Sequence, residues 1–112
     1  MPDPSEAIID TARLESFTGG DAALETELAG LFLETAQLYV ARLRQSLDDA
    51  AAWQRSAHAL KGASANIGAV LVARLAADEE QREPRLEALQ QIEREIVAVR
   101  EQFRRRGTLP AT

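Results

Sequence analysis

The chain has 112 residues, no cysteine and one histidine, and its 13 Lys and Arg against 18 Asp and Glu leave a formal charge of −5. That length suits one domain, which buries about 65% of the surface its unfolded chain exposes and so needs no staples. The counts exclude a disulfide framework, a thiol nucleophile, cysteine-ligated metal and a multi-histidine metal site, and the acidic balance argues against coating nucleic acid or an anionic membrane.

Apolar residues make up 46% of the chain and aromatics only 4%. The apolar content is therefore Ala, Leu, Val and Ile, set among many Glu, Gln and Arg, which favour helix. No run approaches the roughly 20 apolar residues that span a bilayer. The start, Met1-Pro2-Asp3-Pro4-Ser5-Glu6, is acidic and lacks the basic and apolar regions of a secretory signal. A cytoplasmic, all-helical domain over residues 1–112 is expected, with its ordered core at about 8–106.

Residues 1–7 read as loose. Ile8, Ile9, Leu14 and Phe17 fit a short helix that begins at Asp10 or Thr11 and stops at Thr18-Gly19-Gly20. Asp21 then suits an N-cap. Residues 22–47 read as a long helix, with Leu24, Leu28, Leu31, Phe32, Thr35, Leu38, Tyr39, Arg42, Leu43 and Leu47 on one stripe. Asp48-Asp49 offers a break and a new cap.

Residues 50–67 form the third helix, with Trp53, Ala57, Leu60, Ser64 and Ile67 on one face. Gly62 lies inside it, where glycine costs about 1 kcal/mol relative to alanine. Asn66-Ile67-Gly68 marks its end. Residues 69–82 continue with Leu71, Val72, Leu75 and Ala76 toward the core. Pro84 suits the start of the last helix, where its missing N–H is harmless. That helix runs to about Arg105, with Leu86, Leu89, Ile92, Glu93, Ile96, Val99 and Phe103 in period. Arg104-Arg105-Arg106 complements the helix dipole, Gly107 ends the helix, and the rest is expected to fray. The predicted architecture is an antiparallel up-and-down four-helix bundle capped by the short first helix.

The chemistry concentrates at His58. Residues three and four away share its helical face, which gives a strip of Arg55, His58, Lys61, Gly62 and Ala65. An exposed neutral imidazole is a competent nucleophile near pH 7. A phosphoryl group on it would add roughly two negative charges and three acceptor oxygens. Lys61 can reach such oxygens as a flexible point charge, and Gly62 adds no bulk beside the ring.

The run Ala57-His58-Ala59-Leu60-Lys61-Gly62, followed by Gly68, resembles the H-x-x-K-G hallmark of histidine-containing phosphotransfer domains of multistep two-component signalling. The resemblance extends over most of the chain, from Ile9-Asp10 through the leucines after Gly20-Asp21 to Arg55-Ser56-Ala57-His58. It implies that His58 carries the phosphoryl group on Nε2, that Lys61 balances its charge and that Gly62 leaves access for a receiver domain. Relatives often place a Gln or Glu 22 residues after the histidine, on the next helix, to hydrogen-bond the imidazole. That position is Glu80 here. The Asp78-Glu79-Glu80-Gln81 cluster makes Glu80 the first candidate and Gln81 the second. Relatives often have leucine where Glu79 stands, and some have serine directly after the glycine, where this chain has Ala63.

The resemblance implies a phosphocarrier without autonomous turnover that accepts a phosphoryl group from a receiver aspartate and passes it to another. Response-regulator receivers and hybrid histidine kinases are the implied partners, and Mg²⁺ is expected on the receiver rather than on this chain, which needs no cofactor. Arg55 is a further candidate phosphate contact. Ala59, Ala65 and either Leu14 or Phe17 are candidates for an exposed docking patch, and a monomer is expected. Two other readings stand beside this one: the phosphotransfer domain of a chemotaxis-type kinase served by a separate ATP-binding domain, and a helical adaptor in which His58 is incidental. A histidine-kinase dimerisation domain fits less well, because Ala59 rather than an acid follows His58 and no proline comes between His58 and Pro84.

Overall fold

The computed structural model describes residues 8–110, so the expectation for residues 1–7 lies outside the described residues. All regular structure among the described residues is helical: α1 Thr11–Thr18, α2 Ala22–Gln45, α3 Ala50–Ile67, α4 Val70–Glu79 and α5 Leu86–Arg106. Three aspartates begin the first three helices. Asp10, Asp21 and Asp49 accept, respectively, the backbone N–H groups of Arg13, Leu24 and Ala52, each at 3.1 Å. Each satisfies a donor that the helix itself leaves unpaired, which stabilises the start by about 1 kcal/mol.

Helices α2 to α5 form the four-helix bundle. Each packs on its neighbours in sequence, and α5 closes the ring against α2. Trp53, Leu60, Val72, Leu89, Ile92, Val99 and Phe103 meet in the core with almost no exposure. The short helix α1 lies across α2 and α3. Its start is fixed by the α3–α4 turn, where the Asp10 N–H donates to the Gly68 carbonyl at 2.7 Å. A Cβ on Gly68 would lie 2.6 Å from the Asp10 carbonyl oxygen, and the residue has φ +84°. Both facts require glycine there.

Helix α2 departs from the predicted stripe. Its buried residues are Glu25, Ala29, Phe32, Leu33, Ala36 and Leu43. Leu31 and Leu38 are instead exposed, at 57% and 48%, and Leu47, 38% exposed, lies past the helix, which ends at Gln45 rather than at 47. The leucines trace a face beside the one that enters the core. The core face sets the small Ala29 and Ala36 among Phe32, Leu33 and Leu43, so a stripe drawn through the leucines follows it only in part.

Helix α4 also ends earlier than expected, at Glu79, and Pro84 stands before the N-cap Arg85 rather than in the first turn of α5. Proline disfavours helical geometry at the preceding Glu83, so residues 80–85 become a turn. Glu79, the last residue of α4, is 3% exposed beneath that turn, with one carboxylate oxygen 3.5 Å from both Arg82 and Arg85 and the other unpaired among the described residues.

The segment after Gly107 does not fray at its start. Thr108 is buried, and its hydroxyl donates to Glu25 at 2.5 Å while its carbonyl accepts from the Thr26 hydroxyl at 2.8 Å. Arg106 does more than complement the dipole. Its Nε donates to Glu25 at 2.6 Å, and its Nη2 reaches Glu15 of α1 at 3.4 Å. The hydrogen bonds from Arg106 hold the Glu25 carboxyl below its usual range, against the opposing effect of burial. The C-terminal end of α5 is thereby tied to both α1 and α2.

Candidate functional site

His58 projects from the middle of α3, where Ala57 and Leu60 are buried on the opposite side. Its ring stays in solvent, with the side chain 72% exposed. Glu80 is the first residue past α4, still in helical conformation, and its side chain reaches back to α3. One carboxylate oxygen bonds His58 Nδ1, and the other accepts from Lys61 Nζ at 2.8 Å. An ionised carboxylate only accepts, so Nδ1 carries the proton. That tautomer leaves the lone pair on Nε2, which has no hydrogen-bond partner among the described residues and faces outward.

The Glu80 side chain is only 15% exposed, yet its carboxyl sits below the usual range. The hydrogen bond from Lys61 is the main cause and the bond to His58 adds to it, while burial works the other way. The contact therefore belongs to Glu80 and not to Gln81, which points into solvent. Lys61 therefore rests on Glu80, within one helical turn of the imidazole. Arg55, one turn before His58, is exposed and makes no hydrogen bond to His58 or Glu80.

The surface beside the ring is open on the Gly62 side. A Cβ built on Gly62 meets nothing within 4 Å, so the fold itself does not require glycine there. Next to it, α1, α2 and α3 enclose an apolar groove of about 190 Å³, lined among others by Phe17, Leu28, Leu31, Thr35, Ala63 and Asn66. Phe17 is 49% exposed, and Arg13 stacks on its ring at 5.0 Å. Leu14 is fully buried beneath this groove, which removes it as an exposed docking residue. Ala65 is exposed, and Ala59, the residue after His58, is half-buried. The misplaced leucine stripe of α2 thus supplies one wall of the surface next to the imidazole. Sequence periodicity registered the apolar residues but not the face they serve.

A helical bundle presenting a single outward imidazole, its Nδ1 held by a carboxylate at the end of the next helix, has the architecture of a phosphohistidine carrier. The family model of the Hpt domain matches residues 27–104, and the chain belongs to that family. The fold is similar to the crystal structure of histidine-containing phosphotransfer protein B (HptB) from Pseudomonas aeruginosa PAO1. The TM-score is 0.78 and the identity 29%, over 88% of this chain and 93% of that one. No curated protein sequence matches the chain. Hpt domains are phosphocarrier modules of two-component phosphorelays and work with receiver domains and kinases. Among the described residues, no helix is long and apolar enough to cross a membrane.

Proposed function

We propose that His58 takes a phosphoryl group from a receiver-domain aspartate and passes it to a second receiver aspartate. The observation that carries this reading is the held tautomer: Nδ1–H on Glu80 and a free, exposed Nε2. In the forward step the acyl-phosphate O–P bond breaks as the Nε2–P bond forms, which returns the donor aspartate to a carboxylate. The ring gains positive charge, shared with Nδ1–H, and the Glu80 carboxylate stabilises that charge as it develops. The second transfer reverses these bond changes on the acceptor aspartate. Mg²⁺ and the acidic pocket that position the phosphoryl group belong to the receiver.

Lys61 supports the same cycle. Before transfer its ammonium is satisfied by Glu80. The added phosphoryl oxygens compete for it within one helical turn, and Arg55 adds positive field on the opposite side. The apolar groove beside Gly62 supplies the receiver's docking surface, since the fold leaves Phe17 and Leu31 exposed there.

The test is transfer from a phosphorylated receiver to the wild type and to His58→Gln. Acid-labile, base-stable label on the wild type alone is expected. Equal labelling of both proteins removes His58 as the acceptor.

A further inference from the structure

Helices α2 and α3 part again on the other side of His58, and a second groove of about 450 Å³ runs between them. Its lining includes Tyr39, Arg42 and Gln45 of α2 and Arg55, Ser56 and Ala59 of α3. The groove is continuous with the phosphoacceptor, because Ala59 adjoins His58 and Arg55 lies one turn before it.

Its character is opposite to that of the apolar groove. Two guanidinium groups line it and no carboxylate does, in a chain of net charge −5. Neither Arg42 nor Arg55 forms an ion pair among the described residues, whereas Arg44, two residues further along α2, pairs with Glu93 at 2.7 Å. Arg42 lies over the Tyr39 ring, 5.5 Å from its centroid, so the stacking holds its charge along the groove wall. Ser56 is 8% exposed and makes no side-chain hydrogen bond among the described residues.

We infer that this groove is the second half of the receiver-docking surface and takes acidic side chains of the partner. This rests on the phosphotransfer reading above. Any domain that brings an aspartyl phosphate to Nε2 must cover α3 on both sides of His58. Arg55 and Ala63 are separated by about 12 Å along the helix at 1.5 Å per residue. A standard interface of about 800 Å² per partner spans both grooves. The fitting receiver therefore offers an apolar ridge to the Phe17 and Leu31 side and Asp or Glu residues about 12 Å away on the Arg42 side. Such a division lets the apolar half serve every receiver while the cationic half selects among them, because charge complementarity governs association rate and partner choice more than bulk affinity. A nucleic acid is disfavoured as the occupant because the surrounding net charge repels a polyanion.

The experiment compares wild type with Arg42→Glu. Each is labelled by receiver domains of the source organism phosphorylated with acetyl phosphate, at several salt concentrations, and by the small donor phosphoramidate, which needs no docking. The expected result is about a tenfold loss of transfer from the preferred receiver at low salt, a flattened salt dependence and unchanged phosphoramidate labelling. Arg42→Lys is expected to restore most of the rate. Transfer within twofold of wild type from every receiver overturns the inference and leaves phosphotransfer intact. So does an equal loss with phosphoramidate, which would place the effect at His58 itself. A wild type that phosphoramidate labels but no receiver does overturns the receiver-docking reading as a whole. Tighter binding of single-stranded DNA by the wild type than by Arg42→Glu, with equal receiver transfer, assigns the groove to another ligand.

Discussion

Replacing Gly62 by alanine should separate stability from transfer. Gly62 has ordinary helical geometry, and a Cβ built there meets nothing within 4 Å. The folded protein therefore gains the helix propensity of alanine with no opposing clash, about 1 kcal/mol. For a domain of this length that raises Tm by about 4 °C. The same methyl lies on the face where the proposed receiver would reach Nε2, and one inserted methyl in a packed contact costs about 1–3 kcal/mol. Transfer from a phosphorylated receiver should fall about tenfold or more, while labelling by phosphoramidate stays near wild type. Gly30→Ala is the control, because a Cβ there also meets nothing within 4 Å and Gly30 lines neither groove. It should add similar stability and leave transfer alone. Calorimetry and single-turnover labelling read the two quantities. A destabilised Gly62→Ala would show that the fold needs the glycine, and a stabilised variant with full receiver transfer would show that access is not its purpose.

Three further outcomes follow from the same contacts. Glu80→Ala should release the imidazole tautomer and slow phosphoramidate labelling about fivefold, the equivalent of about 1 kcal/mol for a charge-assisted bond to a largely exposed ring. Glu80→Gln keeps an acceptor for Nδ1–H, so ¹⁵N NMR of the ring should show the wild-type tautomer in Gln and its loss in Ala. Glu79→Leu should leave stability unchanged or raise it by about 1–3 kcal/mol, because a buried carboxylate with one unpaired oxygen and two long contacts is replaced by apolar packing; a urea midpoint well below wild type would contradict this. Arg106→Ala strands the Glu25 carboxylate and should lose about 2–3 kcal/mol at pH 7. The folded-state value of Glu25 is depressed, so this stabilisation is complete above the ordinary glutamate value of 4.5 and disappears as the pH falls through the lower folded value. The gap between wild type and Arg106→Ala in urea titrations should therefore narrow below pH 4.5, and a constant gap would refute the assignment.

Much of the fold was legible because its punctuation is local. Asp21, Asp49, Gly68 and Gly107 are residues that start or stop helices by their own chemistry, and α3 lies over the predicted residues 50–67. The face of α2 was not legible in the same way. Periodicity weights leucine over alanine, and a helix that touches three others has more than one apolar side. The Glu25–Arg106–Thr108 cluster gave little signal, since its members lie 81 and 83 residues apart. A single acid four residues before Ala29 on the core face was the only hint.

The sequence alone marked the candidate nucleophile: one imidazole in a chain without a thiol, on a helix with Lys61 and Gly62 one turn on. Helical spacing also determined that Lys61 shares its face, because neighbours on a helix follow from rise and turn. The choice between Glu80 and Gln81 was different. Consecutive residues at the end of a helix point in directions about 100° apart, and which one meets His58 depends on how α4 lies against α3. Packing made that choice and by the same placement set Lys61 on the carboxylate, while the separate packing of α2 on α3 put Arg55 beside Arg42 in a groove of its own.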